Sequence, residues 1–216
     1  MNMKLKAGTL AVFLLVIACV FAAVPASANV VNYVAYDNTG PDSYTTNAWS
    51  IFDVGGGAYT VTDSFKMSQF GWVDGANFYV WVYPGDSLSS VTWSISNTAF
   101  GAPLATGTAA GAPNFQVGTA FGYYPVLEES ITIPYLGLAA GTYWFQLSDA
   151  LDAYDINVWW DQSSGHSTAY ETGGYGQVHS ETFQIIAATP EPSSFLLLGL
   201  GVLLLAALAT RSRLLA

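Results

Sequence analysis

The sequence predicts an all-β fold, an antiparallel two-sheet β-sandwich of jelly-roll or Ig-like type, flanked by an N-terminal signal peptide and a single C-terminal transmembrane helix. Three observations carry this prediction. Apolar and small polar residues alternate with period two in segment after segment of the interior, clusters of Gly, Pro and Asp separate those segments, and long uncharged apolar runs stand only at the two ends. Period two puts every second side chain on one face of a strand, so each sheet has an apolar face that needs a second sheet to cover it.

At the N-terminus, Lys4 and Lys6 form a short positive region, residues 10–23 an apolar one, and Val24-Pro25-Ala26-Ser27-Ala28 ends in a small-x-small pattern. This is a signal peptide over residues 1–28, with Ala26 and Ala28 marking the signal-peptidase site. Val16-Ile17-Ala18-Cys19 also fits a lipoprotein box, an alternative in which Cys19 is lipidated. Cleavage after Ala28 removes the single cysteine and leaves a chain without disulfide or thiol chemistry.

Residues 29–188 form the sandwich domain. Strands are predicted over 30–36, 48–52, 59–62, 78–83, 91–96, 131–133, 143–148, 156–160 and 182–186, about nine or ten in all. Gly40-Pro41-Asp42, Gly55-Gly56-Gly57, Pro84-Gly85-Asp86, Gly111-Ala112-Pro113-Asn114, Gly141 and Gly173-Gly174 supply turns between them. Asp149, Asp152 and Asp155 mark residues 148–154 and their flank as a loop. The charge is one-sided: ten Asp and four Glu face Lys66 alone between residues 29 and 188, a net charge near −13. Nucleic-acid binding, which neutralises phosphates with Lys and Arg, is excluded.

The last segment, residues 189–216, begins with Pro190-Glu191-Pro192. Two prolines fix φ, lack N–H groups and hold their predecessors extended, so residues 189–192 are predicted to be exposed and non-helical. The apolar run 195–209 covers roughly 22 Å as a helix, enough to cross a bilayer of about 30 Å with its polar flanks and little tilt. Arg211 and Arg213 hold its end on the cytoplasmic side, which puts the body outside.

Pro190-Glu191-Pro192, the Gly-containing Leu-rich span and the closing Arg211-Ser212-Arg213 resemble the PEP-CTERM sorting signal of Gram-negative bacteria, over about the last 28 residues. The resemblance implies an exosortase as partner, a membrane-embedded, transpeptidase-like cysteine enzyme that cleaves near the motif in bacteria making extracellular polysaccharide. It implies transient anchoring in the inner membrane with the body in the periplasm, then a cell-surface or extracellular location such as a biofilm matrix. Segments of the body, among them Val61-Thr62-Asp63-Ser64-Phe65 and Leu138-Ala139-Ala140-Gly141-Thr142-Tyr143-Trp144, also look like domains that precede this tail, which supports the fold and no activity.

The body offers little chemistry. His166 and His179 lack HxH or HExxH spacing, and no Gly-x-Ser-x-Gly elbow is present. Asp149, Asp152 and Asp155, with Asp161 beyond them, raise a calcium alternative, although their spacing is not that of an EF-hand and a solvated acidic edge is the preferred reading. Glu128 and Glu129 are candidates for one member of a glycosidase carboxylate pair. Trp159 and Trp160 are consecutive, so in a strand one faces inward and one outward. With Tyr170 and Tyr175 they form a candidate sugar-contact set, against which stands an ordinary role as core and cross-strand fillers. The expectation is a non-enzymatic exported protein without cofactor or metal, acting as a structural or adhesive component of the cell surface or matrix. A carbohydrate-binding module is the alternative, and a secreted glycoside hydrolase the third reading.

Overall fold

The computed structural model describes residues 30–38, 47–54, 57–111, 115–154, 157–190 and 201. The predicted signal peptide with Cys19, Ala26 and Ala28, the turn at 40–42, Asp155, Glu191, Pro192, Arg211 and Arg213 lie outside them. So does the predicted membrane-spanning run, apart from Gly201, whose backbone is helical. Among the described residues no helix is long and apolar enough to cross a membrane.

The body, Asn32–Thr189, is one compact unit. Its described residues, with those at its margins, form fifteen strands: β1 Val30–Asp37, β2 Ala48–Ser50, β3 Asp53–Val54, β4 Gly57–Ala58, β5 Thr60–Met67, β6 Gly71–Trp81, β7 Leu88–Ser96, β8 Pro103–Ala110, β9 Phe115–Ala120, β10 Tyr124–Leu138, β11 Gly141–Asp152, β12 Trp159–Asp161, β13 Ala169–Glu171, β14 Gly176–Val178 and β15 Phe183–Pro190. The first sheet runs β1-β15-β6-β10-β9, with β12 joining β6 beyond the end of β15 and β2 pairing β12. The second runs β14-β13-β5-β11-β7-β8, and β3-β4 form a separate ribbon. Setting the short additions aside leaves β1-β15-β6-β10 facing β5-β11-β7-β8, in which early and late strands interleave in each sheet. This is the wiring of a jelly roll, one of the two sandwich types predicted.

The alternation explains why the sheets face each other. Val61, Phe65 and Met67 of β5, Trp93 and Ile95 of β7 and Phe145 and Leu147 of β11 are buried in one core cluster with Phe78 and Val80 of β6, Ile131 and Ile133 of β10 and Phe183 and Ile185 of β15. Rings cross between the layers: Phe145 lies 5.6 Å from Phe183 and 5.7 Å from Trp160. Trp160 is fully buried, and its indole N–H donates to the Thr182 carbonyl at 2.9 Å.

Several elements depart from the sequence expectation, each for a physical reason. The predicted loop at 148–154 is mostly strand: β11 continues to Asp152 through a register shift between Ser148 and Leu151, where Asp149 takes φ 47°. A bulge absorbs the polar residue that reads as a strand end. β10 runs through Pro134, because its ladder with β6 shifts between Thr132 and Leu136 and asks for no N–H there. β8, β9 and the β13-β14 hairpin were not predicted. They are short or edge strands, and β8, which starts with a proline and alternates only exposed and half-buried small residues, has almost no apolar signature.

Candidate functional site: the outer face of the first sheet

Trp159 and Trp160 divide as their adjacency predicts, with Trp160 in the core and Trp159 on the outer face opposite Trp81 of β6. The Trp159 ring lies 5.6 Å from both Tyr83 and Tyr124 and 6.0 Å from Phe52. Trp81 stacks on Tyr124 at 6.3 Å and meets Phe121 edge-on at 5.5 Å. Six aromatic rings thus tile one end of this face, and Phe121 is 64% and the adjoining Tyr123 53% exposed.

Phe121 is held there at a conformational cost. The β9-β10 turn carries φ 50° at Phe121 and φ 67° at Gly122, with Tyr123 N–H donating to the Ala120 carbonyl at 2.9 Å. Positive φ at both central positions defines a type I′ turn, which favours Asn-Gly. A bulky residue in the left-handed region costs on the order of 1–3 kcal/mol, a strain that clusters at contact sites.

Along β6 the face then turns polar. Tyr79 lies opposite Glu128, and Asn77 lies opposite Ser130 on one side and Gln184 on the other. Ser130 Oγ donates to Asn77 Oδ1 at 2.8 Å, and Asn77 Nδ2 donates to Gln184 Oε1 at 3.4 Å. Beyond them opens a groove of about 550 Å³ lined by Asn32, Asp74, Asn77, Thr132, Tyr135 and Ile186, with Tyr135 64% exposed at its rim. Desolvation holds the Asp74 carboxyl above its ordinary value. Exposed rings beside amides and a carboxyl can stack on a sugar ring while bonding its hydroxyls.

Tyr170 and Tyr175 do not join Trp159. Tyr170 sits on the second sheet, 5.6 Å from Trp144, and Tyr175 covers Trp49 at 5.0 Å from the β13-β14 turn. The reason is topological: β12 belongs to the first sheet and β13 to the second, so their outward side chains point to opposite sides. Asp149 and Asp152 are likewise separated, the first exposed with Ser148 Oγ donating to it at 3.1 Å, the second buried and capping the Tyr154 N–H at 2.9 Å. Glu128 faces outward, whereas Glu129 is buried on the inner face opposite Phe78. His166 and His179 are both exposed. Among the described residues no group of three or more His, Cys, Asp or Glu gathers as a metal centre.

A second polar feature lies inside the sandwich, and sequence reading passed over it. Asp63 occupies an inward position of β5, in step with Val61, Phe65 and Met67. Glu181 stands two residues before Phe183, in step with the buried side of β15, and both carboxyls are 0% exposed. Burial, only partly offset by hydrogen bonds from the Glu181 N–H, Ser167, Ser64 and Ser180, raises Asp63 to about 6. Burial first, then Asp63 and Asp161, push Glu181 well above the carboxylate range. The visible signal was an acid in an otherwise apolar period-two register.

The sorting segment begins in the fold itself, since β15 ends at Pro190, which together with Thr189 is extended as predicted. No curated protein matches the chain. The sequence of residues 188–213 matches the PEP-CTERM protein-sorting motif. That motif implies an exosortase as processing partner, with export and a membrane-anchored passage for sorting. The jelly-roll body is therefore carried by a protein that bears a C-terminal PEP-CTERM sorting motif.

Proposed function

We propose that this is an exported, non-enzymatic component of the cell surface or extracellular matrix, with a structural or adhesive role, delivered by an exosortase-type pathway. The match over residues 188–213 carries the reading. The acidic body supports it, because like charge keeps an exported domain soluble. Mass spectrometry of the protein from envelope and medium is the test. The expected mature chain starts at Asn29 and lacks Arg211 and Arg213, and Glu191→Ala retains the tail and stays with the inner membrane. A surface protein that keeps Arg211 and Arg213 would overturn the processing step.

A second reading is favoured by one observation, the run of exposed rings and amides from Phe121 to Tyr135 on the outer face of the first sheet. On this reading the adhesive partner is extracellular polysaccharide. Affinity electrophoresis in gels containing the producing organism's own polysaccharide is expected to retard the protein. Tyr135→Ala is expected to weaken retardation about tenfold, the loss of one stacked ring. Phe121→Asn relieves the turn, so it is expected to unfold no earlier than the wild type while also binding less. Equal retardation of wild type and both variants would exclude this face.

A further inference from the structure

We propose that Asp63 and Glu181 hold a calcium ion between the two sheets of the sandwich. The two acids come from opposite layers, Asp63 from β5 and Glu181 from the entry to β15, and the Glu181 N–H donates to Asp63 Oδ2 at 2.7 Å. Their surroundings are rich in oxygen and short of donors. Asp63 Oδ1 and both carboxylate oxygens of Glu181 are buried without a hydrogen-bond partner. Asn38 Nδ2 is approached by four oxygens: Glu181 O at 2.5 Å, Ser180 Oγ at 2.6 Å, Ser167 Oγ at 2.9 Å and Asp63 Oδ2 at 3.4 Å. An amide nitrogen has two hydrogens, so it cannot serve them all. Ser167 Oγ also donates to Asp63 Oδ2 at 2.8 Å and lies against Ser180 Oγ.

Among the described residues no basic side chain balances this charge. Lys66 is the only Lys or Arg between residues 29 and 188, and it is exposed on the other side of β5. An uncompensated pair of buried carboxylates is strongly unfavourable, and a divalent cation removes the imbalance in one step. The chemistry selects the cation. The donors are all oxygen, which disfavours metals that prefer imidazole or thiolate. Calcium accepts six to eight oxygens in flexible geometry, whereas magnesium keeps several waters and needs a near-octahedral site. Two carboxylates form the anionic part, and the hydroxyl oxygens of Ser167 and Ser180 are available to complete the shell. Asp161 adds negative charge nearby, but Trp81 Nε1 and Thr182 Oγ1 occupy its oxygens. An ion here ties β5 to β15 across the core, so binding is coupled to stability.

The test is calorimetric titration of calcium chloride into the full chain, purified in detergent and stripped with chelator, alongside thermal unfolding. Saturable binding in or below the 10⁻⁴–10⁻³ M range of extracellular calcium modules is expected. Calcium, and not equimolar magnesium, should raise the unfolding temperature. Glu181→Gln is expected to abolish that response while unfolding no earlier than wild type in chelator, because it removes a buried charge. Terbium supplies a readout on the wild type itself: emission sensitised by Trp160, whose indole bonds Thr182 beside Glu181, should be displaced by calcium. Absence of heat and shift up to about 10 mM calcium, or a response undiminished in Glu181→Gln, would overturn the proposal.

Discussion

Raising the pH from 4 to 7 in the presence of chelator is expected to destabilise this protein by on the order of 3 kcal/mol through Asp63 alone. The sign follows from where the proton is held. In the unfolded chain Asp63 releases its proton near the ordinary 3.8, whereas in the fold burial holds it to about 6. Between those values the native state binds more protons than the unfolded one, so stability falls as pH rises. The loss begins just above the ordinary value and is complete above about 6. Glu181, raised by the same desolvation and by the charges of Asp63 and Asp161, extends the decline in the same direction. Tyr36, which faces Asp63 and is itself raised mainly by burial, titrates far above this window.

Urea unfolding at intervals across that range measures the effect. Surface repulsion in so acidic a chain also grows with pH, and salt separates the two contributions: added salt screens exposed charges and leaves a buried pair largely untouched. Asp63→Asn should flatten the salt-insensitive part. A wild-type profile that rises with pH at high salt would show that these carboxyls are ionised and compensated in the metal-free fold, contrary to expectation. Calcium should suppress the decline, since an ion favours the deprotonated pair.

Trp160→Ala should cost about 3–5 kcal/mol, a loss typical of a large side chain removed from a closed core. The indole is fully buried, meets Phe145 edge-on at 5.7 Å and Phe183 at 5.8 Å, and its N–H satisfies the Thr182 carbonyl. Truncation would leave both a cavity between the sheets and an unpaired carbonyl. For a body of this size the corresponding fall in unfolding temperature is roughly 6–20 °C. Trp159→Ala, one residue away, should cost about 1 kcal/mol, because its ring is only half-buried against Tyr83, Tyr124 and Phe52. Denaturant midpoints of the two variants give the comparison directly, and equal losses would contradict the inward and outward assignment.

The elements legible in the sequence were those whose own side chains declare a buried face. Val91 to Ser96 and Tyr143 to Ser148 alternate cleanly, and both lie inside the strands found, β7 and β11. Pro134 and Asp149 read as interruptions because a single residue cannot reveal that its partner strand has shifted register around it. The candidate contact face was half visible: adjacency put one of Trp159 and Trp160 outward without saying which, and Tyr135 and Phe121 reach that face through a bulged strand and a strained turn. Tyr170 was grouped with Trp159 by nearness in sequence, which does not say that their strands join different sheets.

By itself the sequence determined that the body is β-structured, acidic and built of two apolar-faced sheets, and that its C-terminal segment carries a sorting motif. Those properties reside in local periodicity, charge count and a contiguous string of residues, which need no partner to be read. Only the tertiary structure decided that the wiring is a jelly roll, that rings and amides share one outer face, and that Asp63 meets Glu181. Those depend on residues as distant in sequence as Asn38 and Phe183 coming within hydrogen-bonding distance. Such pairing is the sum of many weak contacts across the whole domain, and no single segment encodes it.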